Sequence, residues 1–164
     1  MEITDIKLFI KYFESIRKRT LNVIRCIPED KIDWAPKQGK MTFGNILTHL
    51  ALSERYLFVG ISKYDKNEYA GFDQTKIKGY SEIIKFLEDA HNESMSLLRT
   101  IDNSELKKKV TTPDGIQITM WKWLRAMVEH EIHHRGTIYS NLSLLDIKTP
   151  PIFGLEEREV RKLN

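Results

Sequence analysis

Residues recurring at helical spacing constrain this chain more than anything else in it. Ile3, Ile6, Ile10, Phe13, Arg17, Leu21 and Ile24 fall on one face of a 3.6-residue period. A stripe of that kind leaves water only by packing against another element. Pro28 and the turn-rich residues up to Gly39 end this first helix. Thr42 is the expected N-cap of a second helix over 42–60, which carries Ile46, His49, Leu50 and Leu57 and closes near Gly60. Ser81 is the expected cap of a third, over 82–101, with Ile83, Ile84, Leu87, Met95 and Leu98 as its stripe. Thr119 is the expected cap of a fourth, over 120–145, and Pro150-Pro151 prevent its continuation. The tail LEEREVRKLN reads as a short exposed helix. Four long amphipathic helices predict an all-α fold, a four-helix bundle.

Two connections are elaborate. SKYDKNEYAGFDQTKIKG has no apolar period, and polar connections of that length commonly form lids or walls of sites. KKKVTTPDGIQIT holds the turn Pro113-Asp114-Gly115 between weakly alternating flanks, which predicts a small β-hairpin before the last long helix. With no internal repeat or low-complexity linker, residues 1–164 are expected to form a single domain.

Charge and cysteine usage narrow the function classes. A net charge of +3, from dispersed basic residues, is too weak for a nucleic-acid interface. The cluster Lys107-Lys108-Lys109 reads as a solvated turn. No apolar run approaches the ~20 residues of a membrane span, and MEITDIKLFIKYFESIRK has no signal-peptide core. No membrane association and a cytoplasmic location are therefore expected. The one cysteine, Cys26, excludes an internal disulfide and fits a reducing compartment. With no base nearby in sequence, it reads as a structural thiol.

Three of the five histidines lie in MVEHEIHHRG, residues 127–136. His130 and His134 are four apart, so they stack on one helix face and can point two ring nitrogens at one cation. Trp123, Met127, Ile138 and Leu142 share that face, which must look inward. His133 is turned about 100° away and reads as a surface residue. A catalytic metal held by two such histidines needs a third ligand. His49, amid the apolar residues of the second helix, is the best candidate, because bundles build metal sites from side chains facing across the core. His91, flanked by Glu88, Asp89, Asn92 and Glu93, reads as part of a solvated face. The competing reading is that these rings are hydrogen-bonded core residues. Three inward histidines weigh against it, since burying unpartnered polar rings is costly. Imidazoles without thiolates or carboxylates suit Zn, Ni, Cu or Fe alike.

The same stretch fits H-E-x-x-H, in which Glu131 would be a protease's general base. The longer metzincin pattern needs Gly at 137 and His at 140, where this chain has Thr137 and Ser140. Glu156, Glu157 and Glu159 are downstream alternatives in a strongly charged tail. Glu131 and Arg135 are the catalytic candidates: Glu131, or Glu129 in the same run, to orient a ligand imidazole or move a proton, Arg135 to bind an acidic thiol cofactor. The bland alternatives are an exposed Glu131 and an Arg135–Glu131 pair one turn apart. Gly136 is expected to admit a neighbouring helix closely, and Tyr56 and Trp123 either line the pocket or pack in the core.

With His49, His130 and His134 placed, the chain resembles the DinB-like superfamily. IDWAPKQGKMTFGNILTHLALSERYLF carries the resemblance with its Trp-x-Pro turn and helical histidine. VEHEIHHRGTIYSNLSLLDI carries it with an H-x-x-x-H-R-G block, and PPIFGL follows. The resemblance implies an up-down-down-up bundle, frequently dimeric, with one divalent metal, Zn or Ni, on the three histidines. It further implies thiol-dependent S-transfer, isomerisation or hydrolysis with a low-molecular-weight thiol such as bacillithiol or mycothiol. A small-molecule substrate and a homodimer are expected, the latter through exposed apolar residues such as Phe9 and Tyr12. The alternative is a non-catalytic metal-binding stress-response protein of the DNA-damage-inducible type.

Overall fold

The computed structural model describes residues 2–69 and 77–162. Its long helices are α1 (Ile6–Ile24), α2 (Phe43–Leu52), α4 (Tyr80–Leu98) and α5 (Met120–Ser143). α2 runs without a break through a π-helical segment, Ser53–Val59, into the short α3 (Gly60–Tyr64). This helix does not close near Gly60. It stops four residues later, where Asp65 adopts a left-handed φ of 48°.

Caps account for the starts. The Asp5 carboxylate accepts from the Leu8 N–H, and Thr42 with Asn45 forms a reciprocal capping box. Two expectations shift. Gly79, not Ser81, occupies the N-cap of α4, and the helix ends at Leu98. Thr119 does sit at the cap of α5, but its hydroxyl accepts from Lys109 Nζ at 3.1 Å, not from the helix. The hairpin forms as β1 (Lys109–Thr111) and β2 (Gln117–Thr119), with Val110 opposite Ile118. The tail forms α6 (Glu157–Val160).

Cross-helix contacts fix the directions. Arg17 on α1 meets Glu131 on α5, and Phe9 lies beside Val128, so α1 and α5 run parallel. Gly44 meets Ile83 and Glu54 meets His91, so α2 and α4 also run parallel. Arg17 against Glu54 and Arg99 against Glu14 set the two pairs antiparallel to each other. The result is an up-down-down-up four-helix bundle.

Its core is in two parts. One end packs Phe9, Phe13, Val59, Leu98, Leu124 and Met127; the other packs Ile24, Phe43, Leu47, Leu87, Ile138 and Leu142. Between them lies a buried polar layer to which each long helical stretch contributes: Arg17, Glu54, His91 and Glu131. Phe9 belongs to this core, at 5% exposure, and is not part of an exposed dimer face as expected; Tyr12 remains exposed. Gly136 is also corrected. A Cβ there would meet nothing within 4 Å, so no helix approaches it closely, whereas at Gly44 it would lie 3.0 Å from Ile83 Cδ1.

Candidate metal centre

α2 presents His49 and α5 presents His130 and His134 to a common point. His49 Nε2 lies 2.9 Å from His130 Nε2, which lies 3.1 Å from His134 Nε2. Their ligand atoms all fall within 4.8 Å of one another. His133 is exposed and touches only the edge of this group, its ring centroid 5.0 Å from that of His134. Among the described residues no carboxylate or thiol joins the three rings.

Electrostatics keep the rings neutral. Burial, reinforced by the neighbouring histidines, lowers the pKa of His130 to about 3 and that of His134 to about 4. Burial also lowers His49. Each ring therefore offers a lone pair or a proton at Nε2, never two protons, at neutral pH. His130 Nε2 has two nitrogen neighbours and only one proton or lone pair to share between them. A cation accepts all three lone pairs at once. A tetrahedral cation at ~2.0–2.1 Å from its nitrogens spaces them by about 3.3 Å, near the 2.9 and 3.1 Å of the His49–His130 and His130–His134 pairs. The donor set fits a divalent metal.

The rings are held unequally. His49 Nδ1 lies 3.0 Å from the Tyr69 hydroxyl and 3.4 Å from Ser53 Oγ. His134 Nδ1 is buried with no hydrogen-bond partner among the described residues. On the other side, Phe58 packs on His130 and on Trp123, with centroids 5.5 and 4.7 Å away. Residues nine apart, such as His49 and Phe58, face about 180° apart on an α-helix. Both touch His130 because the wider i→i+5 turns of Ser53–Val59 swing Phe58 round. Trp123 packs behind Phe58 on the core, and its Nε1 has no hydrogen-bond partner among the described residues. Tyr56 lies against Arg55, whose guanidinium is 4.8 Å from its ring centroid.

The catalytic candidates are not in the cluster. Glu131 is 2% exposed, neither a surface charge nor turned to the histidines: its Oε2 lies 3.0 Å from Arg17 Nη2. That removes the general base which the H-E-x-x-H reading requires. Arg135 is also buried; its Nη1 has no partner, and among the described residues no ion pair joins it to Glu131. His91, expected on a solvated face, is half-buried and lies with Nδ1 2.8 Å from Glu54 Oε1. Glu129 is exposed and pairs with Arg125. Glu156, Glu157 and Glu159 stay in the tail, where Glu156 pairs with Arg158 and Glu157 with Arg161.

Comparison with known proteins agrees with this architecture. The family model of the DinB superfamily matches residues 12–138, and the chain belongs to that superfamily. An uncharacterised Bacillus subtilis protein, YjoA, is 20% identical over 132 residues, covering 79% of this chain and 84% of its own. The crystal structure of YjoA, described as DinB-like, superposes with a TM-score of 0.73 at 18% identity, over 88% of this chain and 96% of that one. A DinB-like protein from Bacillus cereus gives 0.72 at 12% identity, over 90% and 97%. The four-helix bundle protein TT2238 gives 0.64 at 18%, over 83% and 99%. At these identities the likeness establishes the fold alone. No helix among the described residues is long and apolar enough to cross a membrane.

Proposed function

We propose that this chain is a metal-dependent enzyme in which His49, His130 and His134 hold one divalent cation, Zn or Ni, for chemistry on a low-molecular-weight thiol such as bacillithiol. S-transfer to a small electrophile is the leading reaction, with isomerisation or hydrolysis as relatives of it. The observation that carries the reading is the convergence of three neutral Nε2 atoms on one point. A bound cation would supply Lewis acidity, lowering the pKa of a thiol or water beside it.

The chain's own residues contribute holding and shielding. Three neutral imidazoles leave the cation's full charge uncompensated. Phe58, backed by Trp123, covers one flank of His130 with apolar surface. Among the described residues no thiol of the chain joins the three histidines, and Cys26 Sγ lies at the end of α1, 3.5 Å from the Asn22 carbonyl. The attacking sulfur must then come from outside, which favours a free thiol as co-substrate.

One observation favours the non-catalytic alternative, a metal-binding stress-response protein. The carboxylate next to His130, Glu131, is committed to Arg17, and among the described residues no carboxylate joins the histidines. Elemental analysis of tag-free protein purified without chelators is expected to give one equivalent of Zn or Ni per chain. A protein that neither contains nor takes up either metal defeats both readings. Turnover of an aryl halide or epoxide with bacillithiol, mycothiol or cysteine then separates them: metal-dependent turnover supports the enzyme, and none with any thiol supports the alternative.

A further inference from the structure

The connection after α3 is docked against the helix that carries His49, and Tyr69 is its point of contact with the histidines. The docking is specific. The Glu68 N–H donates to the Tyr56 carbonyl at 3.3 Å, inside the π-helical segment. Arg55 Nη1 lies 3.5 Å from Glu68 Oε2, while its Nε donates to Glu93 Oε2 on α4 at 2.9 Å. Arg55 thereby ties the connection to two helices at once. The connection passes beside Gly60, where a Cβ would stand in ordinary contact, 3.4 Å from the Arg55 carbonyl oxygen and 3.5 Å from that of Lys66. Held in this way, Glu68 delivers the next residue, Tyr69, edge-on to His49, with ring centroids 6.1 Å apart and an interplanar angle of 84°.

We propose that Tyr69 is a positioning residue for the metal centre, selecting the His49 tautomer and ring orientation that aim Nε2 at His130 and His134. This rests on the three-histidine reading above. For Nε2 to present a lone pair, the ring proton must sit on Nδ1 and needs an acceptor. The Tyr69 hydroxyl oxygen, 3.0 Å away, provides it; Ser53 Oγ, at 3.4 Å, is at the limit of a hydrogen bond. Metal-ligating histidines commonly donate their second N–H to such a partner. Among the described residues His134 Nδ1 has none, whereas His49 Nδ1 has the Tyr69 hydroxyl. The sequence offered only a hint of this, a tyrosine within a long polar connection.

Tyr69→Phe keeps the ring and removes the acceptor. In Co2+ titrations of the full chain, followed by visible d–d absorption and by competition with a metal chelator, the variant is expected to bind about 10–100-fold more weakly. Its d–d bands are expected to shift, with the thermal unfolding midpoint of the metal-free protein unchanged. In the metal-free protein, the imidazole 15N shifts of His49 should also move toward the other tautomer. Wild-type affinity and spectrum in Tyr69→Phe, with unaltered 15N shifts, would overturn the assignment while leaving the metal centre intact. Wild-type protein that binds no Co2+, Zn2+ or Ni2+ would overturn the metal centre itself and this role with it.

Discussion

Arg17 Nη2 lies 3.0 Å from Glu131 Oε2, and the same guanidinium nitrogen also pairs with Glu54, so one cation joins two carboxylates from two other helices inside the bundle. Burial opposes charge on all three groups. For Arg17 the two carboxylates outweigh burial and raise its pKa; for Glu54, Arg17 and His91 outweigh it and lower its pKa. For Glu131 burial prevails and the pKa rises. Glu54 and Arg17 are thus the charged pair, and Glu131 is held toward its neutral form. Because Glu131 adjoins His130 and Glu54 follows His49 by five residues, this layer fixes the rotation of both histidine-bearing helices.

Removing the shared cation is predicted to cost most. Arg17→Met leaves a buried carboxylate uncompensated, and a loss of about 3–5 kcal/mol is expected in urea denaturation. Glu54→Gln should fall in the same range. Glu131→Gln replaces a group already driven toward neutrality and should cost no more than about 1 kcal/mol. Equal losses for the two glutamine variants would contradict the assignment of charge.

The histidines predict a pH dependence with a definite sign. Unfolded, each titrates near pH 6.5; folded, His130 and His134 titrate near 3 and 4. Below about pH 6.5 the unfolded chain takes up protons that the folded chain refuses, so stability falls as pH falls toward those values. Urea midpoints of chelator-treated protein are expected to drop between pH 7 and pH 5, and His130→Leu should flatten the drop. A steeper dependence in that variant would refute the origin.

Metal should report on individual histidines. Zn2+ or Ni2+ at a hundred times its Kd is expected to add about 2.7 kcal/mol to wild-type stability. His134→Ala and His49→Ala should lose the bound equivalent and that gain. His133→Ala, whose ring is exposed, should keep both. Retention of metal by His134→Ala with loss in His133→Ala would reverse the ligand assignment.

Two glycines should respond with opposite sign. Gly136 is an exposed mid-helix position with open space, so Gly136→Ala is expected to stabilise by about 0.5–1 kcal/mol. Gly44→Ala would place its methyl 3.0 Å from Ile83 Cδ1 and 3.3 Å from the Ile32 carbonyl oxygen, and should destabilise by about 1–3 kcal/mol. Thermal unfolding of both variants checks the pair.

The helices, the hairpin and the inward face of His130 and His134 were legible because periodicity is local: 100° per residue places a side chain on its face without reference to the rest of the chain. His49 was legible for the same reason, through its apolar neighbours. The resemblance to the DinB superfamily rested on those same stretches. What periodicity cannot supply is a partner. Glu131 and His91 look like surface residues beside charged neighbours; Arg17, more than a hundred positions before Glu131, makes the burial of Glu131 tolerable, and Glu54 does so for His91. The wider turns of Ser53–Val59 depend on packing that puts Phe58 on His130, and Tyr69 reaches His49 because Arg55 and the Tyr56 carbonyl hold Glu68 beside it. The sequence alone determined which faces turn inward; the tertiary structure decided which inward polar groups meet, because a buried charge or ring nitrogen is stabilised by what lies across the core and not by its neighbours along the chain.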